Sequence, residues 1–249
     1  MAALAVPARH TAIAAFAANT DLGKTVLSAA VCRAAASLLA APSSVAYIKP
    51  VQTGYPNDSD SRFVSKFCPG VRARTLFTFS DPVSPHMAAA QENRILSDET
   101  VVASIRSCMI ANSTAIGHER DAFTLIETAG GVNSPTASGT LQSTLFQSLS
   151  LPALLVGDSD LGGISTTLSA YESLRMVRNI HVPLVLLFLD ERYRNHEVIA
   201  RYVDARVVVV PPPPPRAARP EEDSENLTRW YAACADGLLL GPVKEWMGK

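Results

Sequence analysis

The sequence has no excess of charge of either sign. It contains 22 lysine and arginine residues against 23 aspartate and glutamate residues, which leaves a formal net charge of -1. No run of basic residues interrupts this balance. Proteins that hold nucleic acid or an anionic membrane through their charge carry such a run or patch. The charge pattern therefore argues against both kinds of partner.

Cysteine is scarce as well. The four cysteines lie far apart, and no two of them form a C-x-x-C pair; they are Cys32, Cys68, Cys108 and Cys234. A small domain held together by disulfides shows closer and more regular spacing. The pattern predicts reduced, mostly buried thiols in an intracellular protein.

Long apolar runs are also missing. None reaches the roughly eighteen residues that a membrane-spanning helix needs. Residues 1–18 are rich in alanine and nearly uncharged, as in some signal peptides. However, the apolar part of this segment, residues 11–17, runs directly into a Gly-Lys-Thr loop. We therefore expect it to be the first strand of the fold, with no room for a long leader before it.

The loop at residues 16–25 reads Phe-Ala-Ala-Asn-Thr-Asp-Leu-Gly-Lys-Thr and lies between the strand predicted over 11–17 and a helix predicted over 26–41. This context is typical of a phosphate-binding loop, because backbone N–H groups and the helix N-terminus point at one spot. Lys24 reaches a phosphate oxygen there, and the Thr25 hydroxyl can bind Mg²⁺. The first glycine of the usual pattern is absent, with Ala17 or Ala18 near its place.

Charged residues follow two further predicted strands. Lys49 follows a β-rich run at 43–48, and Glu127 ends a continuous apolar run. In doubly wound sheets, ligands bind outside the carboxyl ends of the strands, so we expect both residues to lie beside the loop. Taken alone, Lys49 is equally compatible with a solvated surface lysine. Asp58 and Asp60 could either cap the following helix or bind a metal ion.

The remaining pattern predicts one doubly wound α/β domain over residues 1–249, because strands alternate with helices throughout. Hydrophobic residues make up 47% of the chain, which is enough for a full core, and no internal repeat is present. Further strands are predicted over 123–128, 152–157, 182–190 and 206–210, and further helices over 97–112, about 163–177 and 221–234. The five prolines at 211–215 predict a rigid loop, with a polyproline ligand as the less favoured alternative. The tail from about 216 is weakly patterned.

The combination of these segments resembles the dethiobiotin synthetase family, and most closely the synthetase half of the fused biotin-pathway proteins of plants and fungi. Loop and strand-end segments follow in the family's order between about residues 11 and 190. They are residues 18–25, 47–54, 59–61, 84–86, 127–135 and 156–167. The resemblance implies a parallel P-loop NTPase-like sheet.

Members of this family convert 7,8-diaminopelargonate, CO₂ and ATP to dethiobiotin, ADP and phosphate. A substrate amine takes up CO₂ (from bicarbonate) as a carbamate, ATP phosphorylates the carbamate, and the second amine closes a cyclic urea. The resemblance implies that Lys24 and Lys49 are catalytic and that Mg²⁺ is bound by Thr25, Asp60 and Glu127. It assigns ATP binding to Asp21, Leu22, Gly23, Lys24, Thr25, Val26, Asp60, Glu127, Thr128, Ala129, Gly130, Asp190 and Pro211. It assigns substrate binding to Lys49, Thr53, Gly162, Gly163, Ile164 and Ser165.

The resemblance also implies a homodimer whose sites are shared between subunits, and a covalent or functional link to a diaminopelargonate aminotransferase. It favours a mitochondrial over a cytosolic location. Leu189 stands where bacterial relatives carry an asparagine that reads adenine. Two alternatives remain: a partitioning-type ATPase switch, which usually has a second lysine in the loop where this chain has Asn-Thr-Asp at 19–21, and an amidotransferase-type synthase, which usually carries an additional glutaminase domain.

Overall fold

The structure, a computed structural model, describes residues 10–116, 120–217 and 219–248. Its strands form one parallel sheet in the order β3-β2-β4-β1-β5-β6-β7. They are β1 (His10–Ala17), β2 (Val45–Gln52), β3 (Arg72–Thr78), β4 (Ala122–Glu127), β5 (Ala153–Val156), β6 (Leu184–Phe188) and β7 (Arg206–Val210). The sheet reverses its direction of growth at β1, which places the crevice for a ligand at the carboxyl end of that strand.

Helices cover both faces of the sheet, so the predicted doubly wound fold is confirmed. They are α1 (Lys24–Leu38), α2 (Asp60–Phe67), α3 (Pro85–Gln91), α4 (Asp98–Ile116), α5 (Gln142–Gln147), α6 (Gly163–Glu172), α7 (Asn195–Tyr202), α8 (Pro220–Cys234) and α9 (Leu240–Trp246). One core lies between the sheet and α1, α2, α8 and α9. The other lies between the sheet and α3 to α7. No helix in the described ranges is both long and apolar enough to cross a bilayer.

Local signals explain where several helices begin. The Ser97 hydroxyl accepts the Thr100 backbone N–H at 3.2 Å at the start of α4, within the helix predicted from residue 97. At α2 the cap is Ser59, whose hydroxyl accepts the Arg62 backbone N–H at 3.4 Å. Capping by Asp58 or Asp60 was therefore the wrong alternative, and Asp60 is free to turn its carboxylate toward the sheet.

Strand β2 is longer than predicted: it does not end before Lys49 but continues through Pro50 to Gln52. Its pairing with β4 stops at Ile48, whereas its pairing with β3 continues to Gln52. A proline has no N–H to donate and is tolerated where one side of a strand is unpaired. Lys49 consequently projects from within a strand, which fixes its position better than a loop would.

The tail is ordered, contrary to the weak pattern of its sequence. After α8, a π-helical segment (Ala235–Leu239) leads into α9. Leu239, Val243 and Met247 are buried in the core beside α1. The tail therefore completes the apolar cover over the helix that starts at the Gly-Lys-Thr loop.

Candidate active site

The loop after β1 is fastened to its neighbours on both sides. The Ala18 N–H donates to the Val156 carbonyl at 2.8 Å, and the Val132 N–H donates to the Ala17 carbonyl at 3.0 Å. Gly131 passes so close that a Cβ on it would lie 3.2 Å from the Ala18 oxygen. The glycine pair after β4 thus lets that strand's loop pack directly against the loop after β1.

Gly23 allows the turn from this loop into α1. Its φ of 74° and ψ of 26° are left-handed, a conformation that favours glycine. A Cβ at this position would also come within 2.6 Å of the Phe188 ring. Phe188, at the end of β6, therefore supports the loop from behind, a contact that the sequence did not predict.

Lys49 is the centre of a buried ionic cluster. Its Nζ lies 2.5 Å from Asp60 Oδ2 and 3.0 Å from Glu127 Oε1. It also donates to the Thr128 carbonyl at 3.1 Å. The side chains of Lys49 and Glu127 are 6% and 0% exposed, so this lysine is not a solvated surface residue. The alternative interpretation of Lys49 was wrong.

Glu127 connects this cluster to the phosphate-binding loop. The Thr25 hydroxyl donates to Glu127 Oε1 at 2.8 Å, and Lys24 Nζ lies 3.9 Å from the same oxygen. One carboxylate oxygen therefore faces the Thr25 hydroxyl and both lysines. The convergence of the loop with the ends of β2 and β4, expected from the sequence, is present.

The charges of the cluster reinforce one another. Burial by itself raises the pKa of Glu127, but Lys49 and Lys24 outweigh it and hold that pKa well below its usual range. Burial by itself lowers the pKa of Lys49, but Glu127 and Asp60 raise it above its ordinary value. Burial and the charge of Lys49 lower the pKa of Lys24 to about 8. Lys49 and Glu127 are therefore charged at neutral pH. A phosphate bound beside Lys24 would stabilise the charged form of this lysine and raise its pKa.

Two hydroxyls beside Glu127 were not recognised in the sequence. Ser28 on α1 helps to lower the pKa of Glu127, and burial together with Glu127 raises the pKa of Tyr47 on β2 well above its ordinary value. Around Glu127, three buried oxygens of the described residues have no hydrogen-bond partner at normal distance and angle: Ser28 Oγ, the Tyr47 hydroxyl and Glu127 Oε2. No sequence signal marks them, because both look like ordinary core positions.

Gln52 is a further residue that sequence reasoning missed. Its side-chain oxygen accepts the Asp60 backbone N–H at 3.0 Å, and its amide donates to the Thr53 carbonyl at 3.0 Å. It therefore ties the start of α2 to the end of β2. This link sets the distance between Asp60 and Lys49.

A cleft of about 430 Å³ opens above this cluster. That volume falls within the range of small-ligand sites. Of the predicted site residues, its lining includes Asp21, Gly23, Lys24, Thr25, Val26, Lys49, Thr53, Asp60, Ala129 and Gly130. Glu127 and Thr128 lie beneath it and contact Lys49.

Several predicted site residues lie outside this lining. Leu22 packs against the core. Asp190 Oδ1 accepts the backbone N–H groups of Arg192 and Tyr193, and the Pro211 carbonyl accepts the Trp230 indole N–H. The segment at 162–165 starts α6, on the other side of β1 from the ionic cluster. These assignments remain predictions.

The residues at the loop suit Mg²⁺ by their chemistry. Thr25, Asp60 and Glu127 supply only oxygen atoms, two of them from carboxylates, and hard oxygen ligands are those that Mg²⁺ prefers. In the described part of the chain, no group of three or more His, Cys, Asp or Glu side chains is placed to hold a metal ion. The Thr25 hydroxyl and the two carboxylates would leave the remaining positions of an octahedral Mg²⁺ site to water or to the phosphates of a bound nucleotide.

The parallel sheet, the Gly-Lys-Thr loop at its switch point and the lysine–carboxylate cluster define a P-loop nucleotide-binding protein. The family model described as AAA domain matches residues 13–220. A solved structure, the MinC:MinD cell division protein complex of Aquifex aeolicus, matches with a TM-score of 0.56 at 12% identity, over 96% of each chain. At this identity the likeness shows the fold alone.

Relatives identify the family more narrowly. The chain is 35% identical over 172 residues to the ATP-dependent dethiobiotin synthetase BioD of Methylobacterium nodulans, covering 63% of this chain and 72% of that protein. It is 37% identical over 284 residues to the mitochondrial bifunctional dethiobiotin synthetase/7,8-diamino-pelargonic acid aminotransferase of Oryza sativa, covering 92% of this chain and 33% of that protein. The chain belongs to the dethiobiotin synthetase family. It spans about a third of the length of the fused relatives that it matches.

Proposed function

We propose that this chain carries out the ATP-dependent carboxylation and ring closure of 7,8-diaminopelargonate to dethiobiotin, with release of ADP and phosphate. The observation that carries the proposal is the position of Lys49, which is held by two carboxylates beside Lys24 and the phosphate-binding loop. Family membership supports the same reaction and does not favour the partitioning-ATPase or amidotransferase alternatives.

The residues of the cleft suit the charges of this reaction. The carbamate and the ATP phosphates are anionic, and phosphoryl transfer depends on positioning and on neutralising negative charge. Lys24 and the start of α1 would bind the transferred phosphoryl group, and Lys49 would orient the carbamate. Thr25, Asp60 and Glu127 would hold Mg²⁺, which supplies charge neutralisation at the phosphates. Thr53, on the cleft wall, would contact the substrate near its amines.

We further propose a homodimer in which each substrate molecule contacts both subunits. The substrate carboxylate would bind at the start of α6, where Gly162, Gly163, Ile164 and Ser165 present a helix N-terminus. Large apolar side chains are exposed just before this helix, at Leu161, and in its π-helical continuation, at Met176 and Val177. Exposed apolar side chains of this kind are what a two-fold subunit contact would cover.

We infer a functional link to an aminotransferase that makes the diamine, since the Oryza sativa relative carries both activities in its name. The same name gives a mitochondrial location, and we propose that location for this chain. Expression of the full-length protein with a fluorescent tag, followed by imaging against a mitochondrial marker, tests this part of the proposal.

The reaction is tested by incubating the purified protein with diaminopelargonate, bicarbonate, MgCl₂ and ATP. We expect dethiobiotin and ADP in equal amounts, detected by mass spectrometry and a coupled ADP assay. The Lys49→Ala variant serves as the control for contaminating activity. ADP formation without dethiobiotin would instead favour an ATPase switch.

A further inference from the structure

Lys49 lies where a bound cation would be expected. Its ammonium group bridges Asp60 Oδ2 at 2.5 Å and Glu127 Oε1 at 3.0 Å. The Thr25 hydroxyl donates to the same glutamate oxygen. Every hard oxygen assigned to Mg²⁺ therefore either contacts Lys49 directly or is one hydrogen bond away from it.

The Lys49 ammonium and a metal ion cannot both bind the same oxygens of Asp60 and Glu127. A carboxylate oxygen bound at 2.0–2.1 Å to Mg²⁺ would leave an ammonium at its present place close to a divalent charge, and two cations at that separation repel strongly in a buried site. The lysine side chain is flexible, because four carbons joined by rotatable bonds carry the ammonium group. The cleft beside it offers space into which the ammonium can turn.

We propose that Lys49 is an internal counter-cation: it holds the Asp60–Glu127 pair in the metal-free protein, competes with the divalent cation for these oxygens, and is released into the cleft when the metal binds. This inference rests on the proposed function, because the released ammonium is the group assigned to the carbamate. The lysine would then be available to substrate only once the metal site is filled.

Lys24 provides the matched comparison. It carries the same charge near Glu127 Oε1, but at 3.9 Å and without bridging the two carboxylates. Removal of either lysine strengthens metal binding by relieving repulsion. Only removal of Lys49 also abolishes direct competition for the ligand atoms. A competing occupant lowers the apparent affinity in proportion to the fraction of time that the site is free.

The test is a titration of the nucleotide-free protein with Mn²⁺, read by the electron paramagnetic resonance signal of free Mn²⁺. Wild type, Lys49→Met, Lys24→Met and Lys49→Arg are compared. We expect Lys49→Met to bind Mn²⁺ about tenfold more tightly than Lys24→Met. Lys49→Arg keeps a bridging cation and should bind no more tightly than wild type. Equal affinities for the two methionine variants would overturn the proposal.

A second measurement uses the wild-type protein and does not depend on how the variants fold. Lysine acylation by acetic anhydride, quantified by peptide mass spectrometry, reports on the accessibility of each ammonium. Adding Mn²⁺ should raise the labelling of Lys49 severalfold while that of exposed Lys66 stays constant. Unchanged labelling of Lys49 at saturating Mn²⁺ would contradict its release. Neither measurement uses diaminopelargonate or ATP, so a negative result in either one leaves the dethiobiotin assay as an independent test of the reaction.

Discussion

Single side chains decide the chemistry of the cleft, and the two lysines are the most sensitive of them. We expect Lys24→Ala and Lys49→Ala each to lower kcat by about 10²-fold or more, the scale for losing one group that stabilises developing negative charge. Dethiobiotin formation under saturating substrate measures the loss, and circular dichroism checks the fold. A variant with a near-wild-type rate would remove that lysine from the mechanism.

Glu127→Gln tests the metal assignment. The amide keeps the shape of the side chain but loses the charge that hard cations prefer. The variant should need more Mg²⁺ for half-maximal activity, by about tenfold or more, with a smaller change in the KM for diaminopelargonate. Titrations of Mg²⁺ and of diaminopelargonate on the same preparation separate these effects. An unchanged Mg²⁺ requirement would make Glu127 a structural residue at the end of β4.

Tyr47→Phe asks whether the hydroxyl next to Glu127 is bonded. The Tyr47 oxygen is buried and lacks a partner of full geometry. Removing an unsatisfied buried group costs nothing or stabilises, so we expect the free energy of unfolding to stay the same or rise by about 1 kcal/mol. Urea unfolding measures it, with Tyr231→Phe as the matched control because its hydroxyl is in the same state. If Tyr47→Phe lowers the free energy of unfolding by more than about 1 kcal/mol and Tyr231→Phe does not, the Tyr47 hydroxyl makes a stabilising hydrogen bond to Glu127.

At the scale of elements, the segment that follows α8 has a testable packing role. Leu239 is fully buried against the core under α1, and Leu239→Ala should lower the free energy of unfolding by about 2–5 kcal/mol. Gly241→Ala in α9 is the control: a Cβ there meets nothing within 4 Å, so helix propensity should make it neutral or stabilising by up to about 1 kcal/mol. Equal effects of the two variants would mean that the π-helical segment leading into α9 is not packed in the folded core.

The same elements show how far the sequence predicts the fold. Strands β1 and β4 were recognisable because both are buried and almost continuously apolar. β3 was missed because its arginines alternate with small and apolar residues at the half-buried edge of the sheet. The tail was missed because the glycine and proline of α9 weaken its helical pattern. The α9 segment is helical because it packs against α1, and no local sequence pattern shows that contact.

The sequence predicts those site residues that lie in the loop after β1 or at the end of a recognisable strand. Gly23, Lys24 and Thr25 are local to one loop, and Glu127 follows a strand that is easy to recognise. The exact partners were not predictable, because the bridge from Lys49 to Asp60 depends on β2 continuing past Pro50 and on Gln52 fixing α2. Tyr47 and Ser28 adjoin Glu127 only through the pairing of β2 with β4 and the packing of α1.

At the scale of the whole molecule, the proposed homodimer makes the cleft and the start of α6 separable parts of one site. A lesion in each part can therefore be placed on different chains. Lys49→Ala disables the cleft. For the other part, Gly163 is unsuitable, since a Cβ there would lie 2.2 Å from the Asp158 oxygen. Ser165 is exposed in the first turn of α6, so Ser165→Asp adds a charge that repels a substrate carboxylate without harming the helix.

Each homodimer should be inactive, because both of its sites carry a lesion. A mixed dimer has one site with both lesions and one intact site, so an equal mixture after subunit exchange should recover about a quarter of wild-type activity. Differently tagged chains and tandem purification confirm that mixed dimers form, and sedimentation of the wild type measures its oligomeric state. The shared site is refuted if confirmed mixed dimers stay inactive or if the wild type turns over as a monomer. In both cases the substrate carboxylate would have to bind within one chain, and the exposure of the Leu161, Met176 and Val177 side chains would need another explanation.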